Sequence, residues 1–174
     1  MAFLPGPGLP ANWPLQIRNQ PEFLARHRYY VVSGSFRAYI IGEEGHEHTI
    51  QFAIDDWWIS DYNSYVFQQP ASMFVMALED STILQIESDK EKHLKASKHV
   101  YETFFRILAE GTAAHMARRV IVNLTKSAEQ RYELFLERYP SIVNKVPQYA
   151  LASFLGMTTE YLSKLRSKRL GRKS

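Results

Sequence analysis

Between Gln148 and Leu165 stand a carboxylate, an ammonium and three hydroxyls at helical intervals: Thr158, Thr159, Glu160, Ser163 and Lys164. On the outward face of a helix this set suits a major groove. Glu160 can accept from cytosine N4, Lys164 can donate to guanine O6 and N7, and Thr159 or Ser163 can reach a base edge or a phosphate. Gln148, Thr158, Arg166 and Lys168 complete the candidate nucleic-acid contacts, with Arg166, Lys168 and Arg169 placed to grip the phosphate backbone.

The surrounding residues have the spacing of two helices joined by a tight turn. Pro147 can start the first helix, Ala152 is small where the pair would cross, and Gly156 sits where a positive φ is needed. Leu151, Leu155, Met157, Leu162 and Leu165 would pack the pair, and Thr158 would cap the second helix. The alternative is a helical hairpin with no nucleic-acid role.

Charge points the same way. The segment 145–174 carries a net +6, which leaves −3 for residues 1–144 of a chain whose total is +3. Clustered cations favour a polyanion because they release condensed counterions. A solvated basic tail is the bland alternative.

A rival chemistry starts at His46-Glu47-His48, since His-x-His on a strand can open a metal site. A cupin-like metal protein using His46 and His48 is therefore the second reading. It lacks the expected later ligands, because Phe52 and Ala53 stand nearby and the next histidine is His93, so no metal ligand set is assigned. His27, His99 and His115 stand alone. No nucleophile with its base and no Gly-rich phosphate loop is present, so neither an enzyme nor a cofactor is expected.

The chain has 174 residues, 45% hydrophobic and 22% charged, enough for one good core or two small ones. It contains no cysteine, which excludes disulfides, thiolate metal sites and cysteine nucleophiles. No apolar run approaches the roughly 20 residues of a membrane span, and residues 1–14 lack a basic start, so the expected compartment is the cytoplasm.

Residues 1–21, rich in Pro and Gly, read as an irregular lead-in. Short β-favouring runs follow. Tyr29–Val32 and Ser35–Ile41 are joined by a tight connection at Ser33-Gly34, and a turn at Gly42–Gly45 comes next. His48–Phe52 alternates, placing His48, Ile50 and Phe52 on one face and Thr49 and Gln51 on the other. Trp57-Trp58-Ile59 is bulky enough to plug a core, and Met73–Leu78 with Ser81–Ile86 reads as another hairpin. Many short strands predict an antiparallel sandwich or barrel over residues 22–96.

Over 97–125 the period becomes helical. Val100, Phe104, Ile107, Leu108 and Gly111 lie on one stripe with Ala114 and Ile121. So long a helix needs a partner for its stripe, and a second copy of the chain is the economical choice; a break at Gly111 is the alternative. Ser127-Ala128-Glu129-Gln130 fits a capping box, and Pro140 stops the helix it begins, within a last region of 126–174.

Several stretches taken together resemble the Crp/Fnr regulator family, in the branch common in Bacteroidetes-type bacteria. They are Gly34-Ser35-Phe36-Arg37-Ala38-Tyr39, Glu47-His48-Thr49-Ile50-Gln51-Phe52, Trp57-Trp58-Ile59-Ser60-Asp61-Tyr62, Ala77-Leu78-Glu79-Asp80-Ser81, Ser127-Ala128-Glu129-Gln130-Arg131-Tyr132 and the helix-turn-helix. The resemblance spans about residues 23–169. It implies an α+β chain: a jelly-roll of the cyclic-nucleotide-binding kind, a long dimerisation helix and a C-terminal helix-turn-helix. It further implies a homodimer that reads a pseudo-palindromic site on double-stranded DNA, with RNA polymerase as a further partner.

The departures from the family carry their own expectations. Members that bind cyclic AMP offer a Gly-Glu pair to the ribose and an Arg to the phosphate, flanking a short helix. The approximate counterparts here are Ile59-Ser60 and Ala71, so cyclic AMP is not expected to bind. A different, unidentified effector would meet Trp57, Trp58, Ser60 and Tyr62. Iron–sulfur sensing is excluded for want of cysteine ligands. The chain stops soon after the second helix of the motif, which predicts little or no β-hairpin wing. Residues 1–20 do not read as the helix and first strands the family places before Tyr29, which predicts an incomplete roll and, as a third reading, a truncated sensor without function.

Overall fold

Two corners decide how the β-region closes. Gly34 takes φ +108°, and a Cβ there would lie 2.1 Å from the Ser81 hydroxyl, so only glycine lets these two turns lie side by side. The backbone N–H of Leu78 donates to Ser35 O at 2.8 Å and ties the corners together. The consequence is a correction. Neither Tyr29–Val32 with Ser35–Ile41 nor Met73–Leu78 with Ser81–Ile86 forms a hairpin, because each corner carries the chain from one sheet to the other.

The computed structural model describes residues 16, 17 and 23–171. The chain divides into two units, 1–88 and 89–174. In the first, β1 (Gln16–Ile17), β3 (Phe36–Ile41), β4 (Glu47–Ala53) and β6 (Phe74–Ala77) form a sheet in the order β1-β6-β3-β4. The strands β2 (His27–Ser33), β5 (Trp58–Ile59) and β7 (Thr82–Glu87) form a second, ordered β5-β2-β7, and every pairing is antiparallel. Tyr29, Val31, Phe36, Ala38, Ala53, Ile59, Val75 and Ala77 come from both sheets and make one core, with Trp57, Met73 and Ile83 packed against it. This is the antiparallel roll that the spacing of short strands predicts. Burial pushes the Tyr29 phenol up to about 12.

The Gly42–Gly45 turn does close a hairpin, β3–β4, through Gly42 N–H to His46 O and Gly45 N–H to Gly42 O, each 2.9 Å. Its alternation is not the simple one. Ala38 faces Gln51 while the next residue, Tyr39, faces Thr49, so Ile50 is the extra residue of a bulge. Thr49 is therefore buried together with Phe52, and the expected face of His48, Ile50 and Phe52 does not exist.

The lead-in expected over 1–21 lies outside the described residues except at 16 and 17. There it fails, because Gln16 and Ile17 pair with Met76 and Val75. A two-residue strand has no period to read; its partner supplies the order. The roll also ends earlier than residue 96. The last strand stops at Glu87, and Ser88–Ser97 is α2, after α1 (Tyr62–Phe67) within the roll. This helix has almost no apolar stripe, and side-chain ion pairs Lys92–Asp89 and Lys95–Glu91, at 2.9 and 2.7 Å, support it instead.

In the second unit α3 runs unbroken from His99 to Thr125, through Gly111. At 27 residues it measures about 40 Å. Then follow α4 (Ala128–Arg138), α5 (Gln148–Phe154) and α6 (Thr159–Gly171). Ser127 and Gln130 make the capping box at the start of α4 in both directions. Tyr132, Phe135, Ile142, Val146, Ala150, Leu151, Ala152, Leu155, Leu162 and Leu165 are buried, the interior of a three-helix head; Met157 is only half-buried.

Candidate nucleic-acid interface

The turn between α5 and α6 is built from local chemistry. Gly156 takes φ +65°, which strains any L side chain, and the Met157 N–H returns to Ala152 O at 3.0 Å. Thr158 then caps α6 by accepting the Tyr161 N–H at 3.2 Å.

Burial sorts α6 into two sides. Leu162 and Leu165 face the interior, while Glu160, Ser163, Lys164, Ser167 and Lys168 are exposed. Glu160, Ser163, Lys164 and Ser167 follow the i, i+3, i+4, i+7 rhythm of a single stripe. Ser167 was not singled out from the sequence, although counting one turn beyond Ser163 and Lys164 reaches it. Thr159 is half-buried, and its carbonyl accepts from the Gln148 side chain at 3.3 Å, so Gln148 joins the two helices of the motif.

The Glu160 carboxyl lies below the usual carboxylate range. Its own backbone N–H holds it there first, then the Thr158 hydroxyl, against a small opposing effect of desolvation. A lowered value means that whatever the ionised group contributes is present above the ordinary pKa and fades as pH falls through the lowered one. The carbon-13 titration of Glu160 should therefore show a midpoint below 4.5, and Thr158→Val should raise it. An identical midpoint in the two proteins would refute the assigned contact.

The basic residues beside this stripe already have partners within the head, although Lys168 stays exposed. Lys168 Nζ lies 3.0 Å from Glu129, Arg169 Nη1 2.6 Å from Glu133, and Arg166 donates to Val143 O at 3.4 Å. α6 packs on α5, and cations along its flank reach the acidic side chains of α4. Arg172 and Lys173 lie outside the described residues. Arg131, quoted above only within a motif, is the residue sequence reasoning undervalued. Its guanidinium donates to Leu155 O at 2.8 Å, Gly156 O at 3.2 Å and Lys126 O at 3.2 Å.

The four proposed effector contacts do not converge. Trp57, just ahead of β5, packs against the core. Ser60 is buried and donates to His27 O at 2.8 Å. Trp58 and Tyr62 do come together, around buried Arg28, whose guanidinium carbon lies 5.9, 5.0 and 5.0 Å from the rings of Trp58, Tyr62 and Tyr65. Nothing in the sequence pattern marks Arg28.

Asp61 occupies the mouth of α1. It is fully buried, and its two oxygens accept from Ser64 N–H at 3.1 Å, Ser72 N–H at 2.7 Å, Ser72 Oγ at 3.2 Å and Met73 N–H at 3.0 Å. Of Ile59-Ser60 and Ala71, the positions set against the ribose pair and the phosphate ligand, Ile59 and Ala71 are buried apolar side chains and Ser60 is buried. His46 sits at the exposed β3–β4 tip, 3.8 Å from Glu44, and His48 is exposed on β4. Among the described residues no three His, Asp or Glu side chains converge.

An antiparallel roll, a long helix and a helix-turn-helix make the fold of the Crp/Fnr transcriptional regulators. FixK2 from Bradyrhizobium japonicum matches with a TM-score of 0.79 over 92% of this chain and 82% of its own, at 16% identity. TTHA1359, a CRP/FNR-family transcriptional regulator from Thermus thermophilus, matches at 0.64 over 92% and 84%, with 18% identity. The c-di-GMP responsive global regulator CLP of Xanthomonas campestris gives 0.65 over 92% and 84%, with 12% identity. No protein-family model and no curated protein matches the sequence. Among the described residues no helix is long and apolar enough to cross a membrane.

Proposed function

We propose that this chain is a Crp/Fnr-family transcription regulator, a cytoplasmic homodimer that reads a pseudo-palindromic DNA site with α6 and performs no catalysis. The observation that carries this reading is the stripe of Glu160, Ser163, Lys164 and Ser167, exposed on a helix whose opposite side is buried in a packed head. Lys164 is the cation of this stripe that faces outward.

The dimer is supported by α3. Val100, Phe104 and Ile107 are 63%, 50% and 58% exposed in the single chain, and apart from its own helix backbone and chain neighbours no described atom lies within 4 Å of where a Gly111 side chain would begin. A second α3 would cover that stripe and approach closely at Gly111. Cyclic AMP is not the effector, because an internal carboxylate, Asp61, already takes the Ser64 donor in the first turn of α1 and the Ser72 and Met73 donors ahead of β6, and Ala71 offers no cation. RNA polymerase is the protein partner such a regulator would engage.

The test is selection of duplexes from a random-sequence pool by the purified protein, followed by gel shifts at two salt concentrations. The expected result is a two-half-site duplex whose binding weakens steeply, about tenfold or more between 50 and 200 mM salt. A folded, dimeric protein that enriches no duplex would overturn the reading.

A further inference from the structure

Between α3 and α4 only Lys126 and Ser127 intervene, both in extended conformation, with φ/ψ of −113°/142° and −65°/162°. Two such residues leave soft torsions at the joint, and a rotation there would swing α6 through a wide arc. The structure spans this joint with two guanidinium groups. From the α4 side, Arg131 donates to Lys126 O, Leu155 O and Gly156 O. From the α3 side, Arg119 stacks over the Phe154 ring at 4.2 Å. Between them the two groups hold three consecutive residues where α5 ends: Arg119 holds Phe154, and Arg131 holds Leu155 and Gly156.

We propose that Arg119 and Arg131 form a latch that fixes the angle between α3 and the helix-turn-helix head, so that a dimer accepts one spacing of DNA half-sites. The inference rests on the DNA-binding reading above and adds positioning residues to it. Arg131 is directed at carbonyl oxygens of its own domain, at the joint and at the turn, and so acts through α6 rather than on phosphate. Its planar fork satisfies three acceptors at once, which a lysine ammonium on a flexible stem does not reproduce. Arg119 is largely removed from water, and burial lowers its pKa from the ordinary arginine value. A desolvated cation over a ring face is held more firmly than an exposed one.

Fixed heads bind two half-sites as one event only when the geometry allows both to engage; free heads tolerate many spacings. The full-length protein and Arg131→Lys, which keeps the charge and loses the fork, are titrated against duplexes selected by the unaltered protein. The duplexes carry either one half-site or two half-sites moved closer or further by single base pairs. Arg119→Leu, which keeps the apolar contact with Phe154, is the second variant.

The unaltered protein should prefer one spacing by about tenfold or more, while both variants vary by less than about threefold across the series. Half-site affinity and its salt dependence should be unchanged, a result that general damage to the head would not give. Variants that keep the original preference, or that lose half-site and full-site binding together, overturn the latch. If circular dichroism shows Arg131→Lys unfolded, Arg119→Leu decides alone. An unaltered protein that selects no duplex removes the DNA-binding reading and the latch with it, whereas discrimination that survives in both variants removes the latch only.

Discussion

Ile107→Glu is expected to leave a folded chain that sediments as a monomer and binds a two-half-site duplex about a thousandfold more weakly. Ile107 lies mid-stripe on α3, between Phe104 and Gly111, and is more than half exposed without a partner chain. In a two-fold contact each such position meets its own copy or a near neighbour, so a glutamate there places like charges together in an apolar seam. Covering the half-exposed Val100, Phe104 and Ile107 contributes about 1 kcal/mol for each side chain, and the charge removes that gain. Losing the second subunit then removes the second half-site contact, which is where the large factor arises. Sedimentation velocity checks the first effect and gel shift the second. An Ile107→Glu protein that stays dimeric at micromolar concentration would place the seam elsewhere.

The second large effect belongs to α6. Glu160→Ala and Lys164→Ala should each cost about 1–3 kcal/mol, roughly tenfold to a hundredfold, in affinity for the selected site, and relax its sequence at one base pair. Together the two changes should approach non-specific binding. Lys168→Ala is the informative contrast. Its ammonium lies on Glu129 at 3.0 Å in an exposed pair, so removing it should change affinity by less than about threefold. Repeating the selection with each variant reports which base pair has become free. If Lys168→Ala costs as much as Lys164→Ala, the assignment of the outward face is wrong.

That contrast was not legible in the sequence, where Arg166, Lys168 and Arg169 form one basic run with Lys164. Periodicity separates an inward stripe from an outward one, but it does not say that α4 presents Glu129 and Glu133 beside the inward stripe, 39 and 36 residues away. Arg131 was missed for the same reason. Its acceptors at Leu155 and Gly156 are 24 and 25 residues distant. Ser167 was within reach of counting alone. Asp61 stood in plain view in the chain, and only its four donors, two of them on Ser72, reveal a carboxylate enclosed by the roll.

What the sequence by itself determined are features whose partners lie within about one helical turn. The Ser127 capping box, the Thr158 cap, the positive φ of Gly156 and the continuity of α3 each depend on contacts between near neighbours, and local patterns encode these directly. What the tertiary structure decided are pairings made at long range. The corners at Gly34 and Ser81 send apparent hairpins into different sheets, and the bulge at Ile50 turns Thr49 inward. The acidic residues of α4 likewise form exposed ion pairs with Lys168 and Arg169, which the chain alone shows only as part of a basic run. A strand run of given period fits several partners equally well, and only burial of the whole core selects among them.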